Sequence, residues 1–155
     1  MVVNSPWKLM LGLSAVATML LSSCVGPSSD PITVTGLLDK NSRTVLEEPF
    51  SYPSTTSPQV SSSIVSLGPG AETGWHLHEA PMYAYILDGT LEVTYEVDGI
   101  QVTKTYTKGE AIMEGLDTPH NGQNVSNSPV SVLVVNLGSP ELANTVPLHD
   151  YEPMD

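Results

Sequence analysis

Four histidines carry most of the metal-binding chemistry available to this 155-residue chain, and two of them, His76 and His78, are separated by a single residue. Side chains alternate along an extended strand, so both imidazoles would lie on one face with their Cα atoms about 7 Å apart, close enough to share an ion. A third, His120, follows the turn-rich stretch Gly115-Leu116-Asp117-Thr118-Pro119, which could return a strand to the same place. Three imidazoles leave coordination positions open, which separates a catalytic centre from a structural one closed by four protein ligands. His149 sits in a tail with prolines at 140, 147 and 153 and reads as an exposed residue.

The elements that must position these side chains are short. Runs rich in β-branched residues, cut by Gly, Pro, Asn and Asp, predict strands at about Gln59 to Leu67, Gly74 to His78, Met82 to Leu87, Thr90 to Val97, Ile100 to Tyr106, Ala111 to Glu114, His120 to Asn124 and Val130 to Leu137. Leu91, Val93, Tyr95 and Val97 alternate with Glu92, Thr94 and Glu96, giving one buried and one wet face. Asp88-Gly89 and Asp98-Gly99 each lie between such alternations and predict two hairpins, since glycine tolerates positive φ in a tight turn. No helical periodicity follows the first 31 residues. Eight short strands and no helix predict an all-β sandwich or barrel, with the jelly roll among the usual solutions. Between Glu47 and Pro58, three prolines among Ser and Thr suit extended chain wrapping the barrel.

At this point the chain resembles the cupin family. Gly70, His76, His78 and Gly89 stand in step with the first cupin motif, and Gly109, His120 and Asn124 with the second; the resemblance spans about Pro49 to Pro147. It implies a double-stranded β-helix, or jelly-roll barrel, with His76, His78 and His120 as ligands of a divalent metal: Fe, Mn, Zn or Ni ahead of Cu. Two departures stand out. Met82 occupies the place of the family's ligand glutamate, and Gly115 and Asp117 replace the proline and glycine of the second motif. Without that carboxylate the ion's charge is less compensated by protein, which favours an anionic substrate or effector.

Met82, Ala84 and Ile86 share the ligands' parity and Asn124 lies beyond His120, so these four are expected to line the pocket. Trp75, Tyr83 and Tyr85 take the opposite parity and are expected in the core or a dimer interface. Glu72 and Glu79 are candidate replacement ligands only if they swing inward, and Glu114 reads as a solvated strand-end carboxylate. The three-histidine set resembles the iron site of thiol and diketone dioxygenases among cupins, which implies dioxygenase-like or isomerase-like chemistry on a small organic molecule. The alternative is a non-catalytic module that binds a small ligand or metal; whether the protein is an enzyme stays open. Cupins commonly pair, so a homodimer is expected.

The first residues point to export. Met1 to Lys8 carries positive charge, Leu9 to Leu21 is an apolar run too short to span a bilayer, and Leu21-Ser22-Ser23-Cys24 resembles a bacterial lipoprotein box. The expected organisation is a signal peptide over 1–23, a flexible linker over 24–31 and a barrel domain with an irregular C-terminal tail over 32–155. Cys24, the sole cysteine, would carry lipid, and Val25 after it favours the outer membrane facing the periplasm. A net charge of −12, with only Lys40, Arg43, Lys104 and Lys108 as cations beyond the signal, argues against nucleic acid and against membrane contact other than through a lipid anchor.

Overall fold

Alternation of apolar and polar side chains is what closes this chain into two facing sheets. The computed structural model describes residues 32–153, so the expected signal segment and Cys24 lie outside the described residues. Nine strands follow in order: β1 (Gln59–Leu67), β2 (His76–Leu77), β3 (Met82–Asp88), β4 (Thr90–Val97), β5 (Ile100–Thr107), β6 (Ala111–Met113), β7 (His120–Gln123), β8 (Val130–Gly138) and β9 (Val146–Pro147). One sheet has the order β1-β8-β3-β6 and the other β5-β4-β7-β2-β9, with every pairing antiparallel. No helix occurs among the described residues. This is the all-β jelly-roll architecture expected from the strand pattern.

Period-two patterning sets the inner face of each sheet. Met82, Ala84 and Ile86 on β3 are buried, and their β8 partners Asn136, Val134 and Val132 face the same way. Opposite them, Leu91, Val93 and Tyr95 on β4 are buried, with Gly122 and His120 of β7 paired to Val93 and Tyr95. Burying a side chain such as Ile86 or Val93 contributes about 1.5–3 kcal/mol. Upstream, Val45 and Leu46 pack on this core and Val45 N–H donates to Met113 O.

Three expectations are corrected. Asp88-Gly89 is not a hairpin: β3 pairs with β6 and β8 while β4 pairs with β5 and β7, so this dipeptide is a corner where the chain changes sheets, after a bulge between Ile86 and Asp88. Asp98-Gly99 is the true hairpin, and both residues take positive φ, 52° and 77°, as its tight turn requires. The strand expected from Gly74 to His78 shrinks to two residues because Gly74 has φ 76° and the His78 carbonyl leaves the ladder to accept from Asp117 N–H. The tail is not wholly irregular, since β9 pairs with β2 and Leu148 N–H donates to Trp75 O. Pro147 is tolerated there because β9 is an edge strand, where a missing N–H costs no ladder bond.

The sheet-changing corner leaves no room for a side chain. Gly89 has φ +82°, and a Cβ on it would meet Pro129 O at 2.8 Å and Val130 Cγ2 at 2.9 Å. Gly70 has a similar φ of +73° with open space around it. Gly89→Ala should therefore cost about 2–4 kcal/mol, backbone strain plus overpacking, and Gly70→Ala only about 1 kcal/mol. Urea denaturation of the two variants checks this; equal losses would show that φ alone matters at the corner.

Candidate metal centre

Each of the three histidines is held by its Nδ1–H on a backbone carbonyl. His76 donates to Gly74 O at 2.8 Å, His120 to Thr118 O at 2.8 Å, and His78 to Asn144 O at 2.5 Å. Two of these carbonyls are local, two residues back along the chain, and the third comes from the C-terminal segment. Fixing Nδ1 as the donor leaves Nε2 with a free lone pair on every ring, the tautomer a metal requires.

The ladder brings the rings together. His76 is paired directly with His120, and the ring centroids lie 4.3 Å apart for that pair and 5.0 Å from each to His78. One potential ligand atom from each falls within 4.8 Å of the other two, and no further His, Cys, Asp or Glu joins them among the described residues. His78 Nε2 is buried with no hydrogen-bond partner. A buried lone pair without a partner costs free energy that an ion would recover, so the donor set fits a divalent metal. Burial first of all, and the neighbouring imidazoles second, lower His78 and His120 from 6.5 to about 4; for both, the bond to a backbone carbonyl opposes the shift. Both rings are consequently neutral at physiological pH.

The histidines open on a cavity of about 490 Å³ inside the barrel. Met82, Ala84 and Ile86 line it, as their parity requires. Asn124 does not. Its amide donates to Leu67 O and Ser128 O and accepts from Ser126, which makes it a fully buried brace for the loop ahead of β8 and not a pocket residue. Trp75, expected on the opposite face, lines the cavity and packs on Tyr151 with centroids 5.2 Å apart; β2 is too short for strand parity to govern it. Glu72 accepts from Asn121 and Gln123 and Glu79 accepts from Ala143 N–H, so neither joins the histidines. His149 is exposed and apart from them.

Glu114 is the residue that sequence reasoning misplaced. It is 6% exposed, lines the cavity, and accepts from Tyr95 Oη at 2.5 Å and Gly115 N–H at 2.9 Å. Tyr95 also shares a hydrogen bond with Tyr106 Oη and packs its ring 5.6 Å from that of His120. Burial, followed by the Glu114 charge, pushes the Tyr95 phenol far above its ordinary range, so it remains a donor. Parity could have revealed Glu114: it is two residues beyond the inward-facing Ile112. Asn136, also on the cavity wall, was missed for want of the same count along β8.

Comparison with known proteins agrees with this architecture. The Cupin domain family model matches residues 63–136. Among solved structures, oxalate decarboxylase from Bacillus subtilis at pH 4.6 superimposes with TM-score 0.52 at 24% identity, over 57% of this chain and 23% of that one. A structure of the same enzyme concerned with its Mn(II) centres gives 0.52 at 23% identity over 57% and 24%. The formate complex of Lactobacillus farciminis oxalate decarboxylase gives 0.51 at 21% identity over 57% and 26%. The chain spans about a quarter of the length of these enzymes, and at such identity the likeness is one of fold. No curated protein sequence gives a significant match. The family match across both histidine segments supports a small cupin domain, and the two facing antiparallel sheets show the jelly-roll fold of that kind.

Proposed function

We propose that the protein binds a divalent metal through Nε2 of His76, His78 and His120 and acts on a small organic molecule admitted to the adjoining cavity. The observation that carries this reading is three imidazoles, each locked at Nδ1 by a backbone carbonyl, converging on one point with a buried, unpartnered Nε2 among them. The relatives with Mn(II) centres share the fold and so lend support to a metal, with Fe, Mn, Zn and Ni all suited to a three-nitrogen donor set. Such an ion supplies Lewis acidity and open positions for substrate or dioxygen. The chain's own residues line the space with a largely apolar wall and hold a carboxylate, Glu114, at a fixed place on it. A non-catalytic ligand-binding role is the second reading, favoured by Met82, which puts a thioether where a fourth, charged ligand would stand. Export and lipid attachment at Cys24 belong to the proposal and rest on the sequence pattern.

Elemental analysis of untagged protein should find about one equivalent of divalent metal per chain, lost in His76→Ala. Negligible metal in the unmutated protein under several growth conditions overturns the reading. Oxygen uptake with diketones, thiols and phenols then separates an oxygenase from a binder.

The imidazoles also make the metal-free protein sensitive to acid. The unfolded chain takes up these protons near pH 6.5 and the folded chain near 4, so between the two the unfolded state binds more protons. Stability of the metal-free protein should be full above about pH 6.5, fall by several kcal/mol as pH drops to about 4, and level off below. Urea titrations across this range check it, and the His78→Gln, His120→Gln double variant should flatten the profile.

Cys24→Ser should shift the full-length protein from the membrane to the soluble fraction of cells. Retention of the variant in membranes would overturn attachment through this residue.

A further inference from the structure

The chain after β6 passes beside the histidines and is tied to the segment from His78 to Met82 at both ends. Glu114 N–H donates to Met82 O and Asp117 N–H to His78 O, both at 2.9 Å. From the other sheet, Tyr95 stands opposite His120 in the ladder, packs its ring 5.6 Å from that imidazole and donates through Oη to Glu114 Oε1. The Glu114 side chain is therefore held between the segment that carries His78 and the strand pair that carries His120. Burial dominates the lowered pKa of His78, and the Glu114 charge is near enough to oppose it.

The two oxygens of this carboxylate are used differently. Oε1 accepts from both Tyr95 Oη and Gly115 N–H, while Oε2 accepts from none of the described residues. Nor is Oε2 one of the buried side-chain atoms left without a partner, which among the described residues are only His78 Nε2 and Asn136 Oδ1. It is therefore reached from the cavity, where Glu114 is the only acidic residue on a wall that carries no Lys or Arg. Imidazoles bring no charge to a dication they ligate, and a charge taken into apolar surroundings is stable only when paired.

We propose that Glu114 is the counter-charge of the metal centre: its Oε2 faces the ion across a water, raises the affinity for a dication and disfavours a second anion at the open positions. The proposal rests on the three-histidine metal reading and adds to it the residue that balances the charge. Only His76, His78 and His120 bring ligand atoms within 4.8 Å of one another, so Glu114 acts on the ion from beyond direct contact. Partners of that kind ordinarily change metal affinity by about tenfold to a hundredfold. An anionic substrate is disfavoured on this reading, contrary to the expectation drawn from Met82 alone. The carboxylate missing at position 82 comes instead from the residue whose N–H bonds the Met82 carbonyl.

Zinc and cobalt(II) titrations of the full chain test this, followed by azide titration of the cobalt form read from its visible absorption. Glu114→Gln keeps an oxygen for Tyr95 and Gly115 and removes the charge. It should bind both metals at least about tenfold more weakly, and its cobalt form should bind azide at least about tenfold more tightly. Glu114→Asp keeps the charge and should stay closer to the parent than to Glu114→Gln in both measurements. Glu114→Leu removes the charge without placing an amide in the wall and should repeat the Glu114→Gln result, which preserves the test if the glutamine variant does not fold. A residue that merely braces the barrel would lose metal affinity on substitution without gaining affinity for azide. Parental metal affinity in the neutral variants, or azide affinity that is unchanged or weaker, overturns the counter-charge and leaves the metal centre standing. A parent that takes up neither metal overturns both.

Discussion

Three backbone carbonyls decide what this barrel can do. Gly74 O, Thr118 O and Asn144 O each accept the Nδ1–H of one histidine, and so determine both the tautomer and the direction of every ring. Without them an imidazole in an apolar interior would rotate to satisfy whichever nitrogen it could, and the three lone pairs would not meet. The third carbonyl is the telling one, because it lies in the segment after β8 and is carried to His78 by the pairing of β9 with β2. A stretch of chain that contributes no metal ligand thereby orients one.

The rest of the barrel sets that cluster beside a largely apolar interior space. Its core residues are also its cavity walls: Leu67, Ala84, Ile86, Leu91, Val93 and Ile112 are buried from solvent yet face an interior space. A filled core would be more stable, because unfilled volume forfeits contacts. Structure is instead held at the perimeter, by long antiparallel ladders such as β1 on β8 and β4 on β5, and by the corner at Gly89, where backbone meets backbone too closely for any side chain.

Buried polarity is concentrated and partnered in a way that bears on chemistry. Tyr106, Tyr95 and Glu114 form a hydrogen-bonded chain, and the Tyr95 ring packs on His120. The chain links the position of a carboxylate to that of a metal-ligand candidate through one rigid aromatic side chain. The residues that carry the unpartnered atoms, His78 with Nε2 and Asn136 with Oδ1, both belong to the wall of the same cavity. Buried polar groups are ordinarily satisfied, so two exceptions around one space set it apart from the rest of the interior.

Much was legible from local pattern. Runs rich in β-branched residues between turn residues identified all the longer strands nearly to the residue, and alternation put His76 and His78 on one face, because side-chain direction along a strand is a local property; that His120 joins them was expected from the resemblance of the histidine and glycine pattern to cupins. What a strand pairs with is not local. Asp88-Gly89 reads as a hairpin in sequence, and only the pairing of β3 and β4 with strands of different sheets shows it to be a corner. Asn124 has the parity of a pocket residue but is consumed by carbonyls of Leu67 and Ser128, and Glu114 looks like a solvated strand end until Tyr95 is brought against it from another sheet. Which side chains alternate inward is written in the sequence by the geometry of one strand; which of them meet, and so whether a carboxylate is a surface charge or part of a site, depends on contacts between distant segments that only the closed barrel creates.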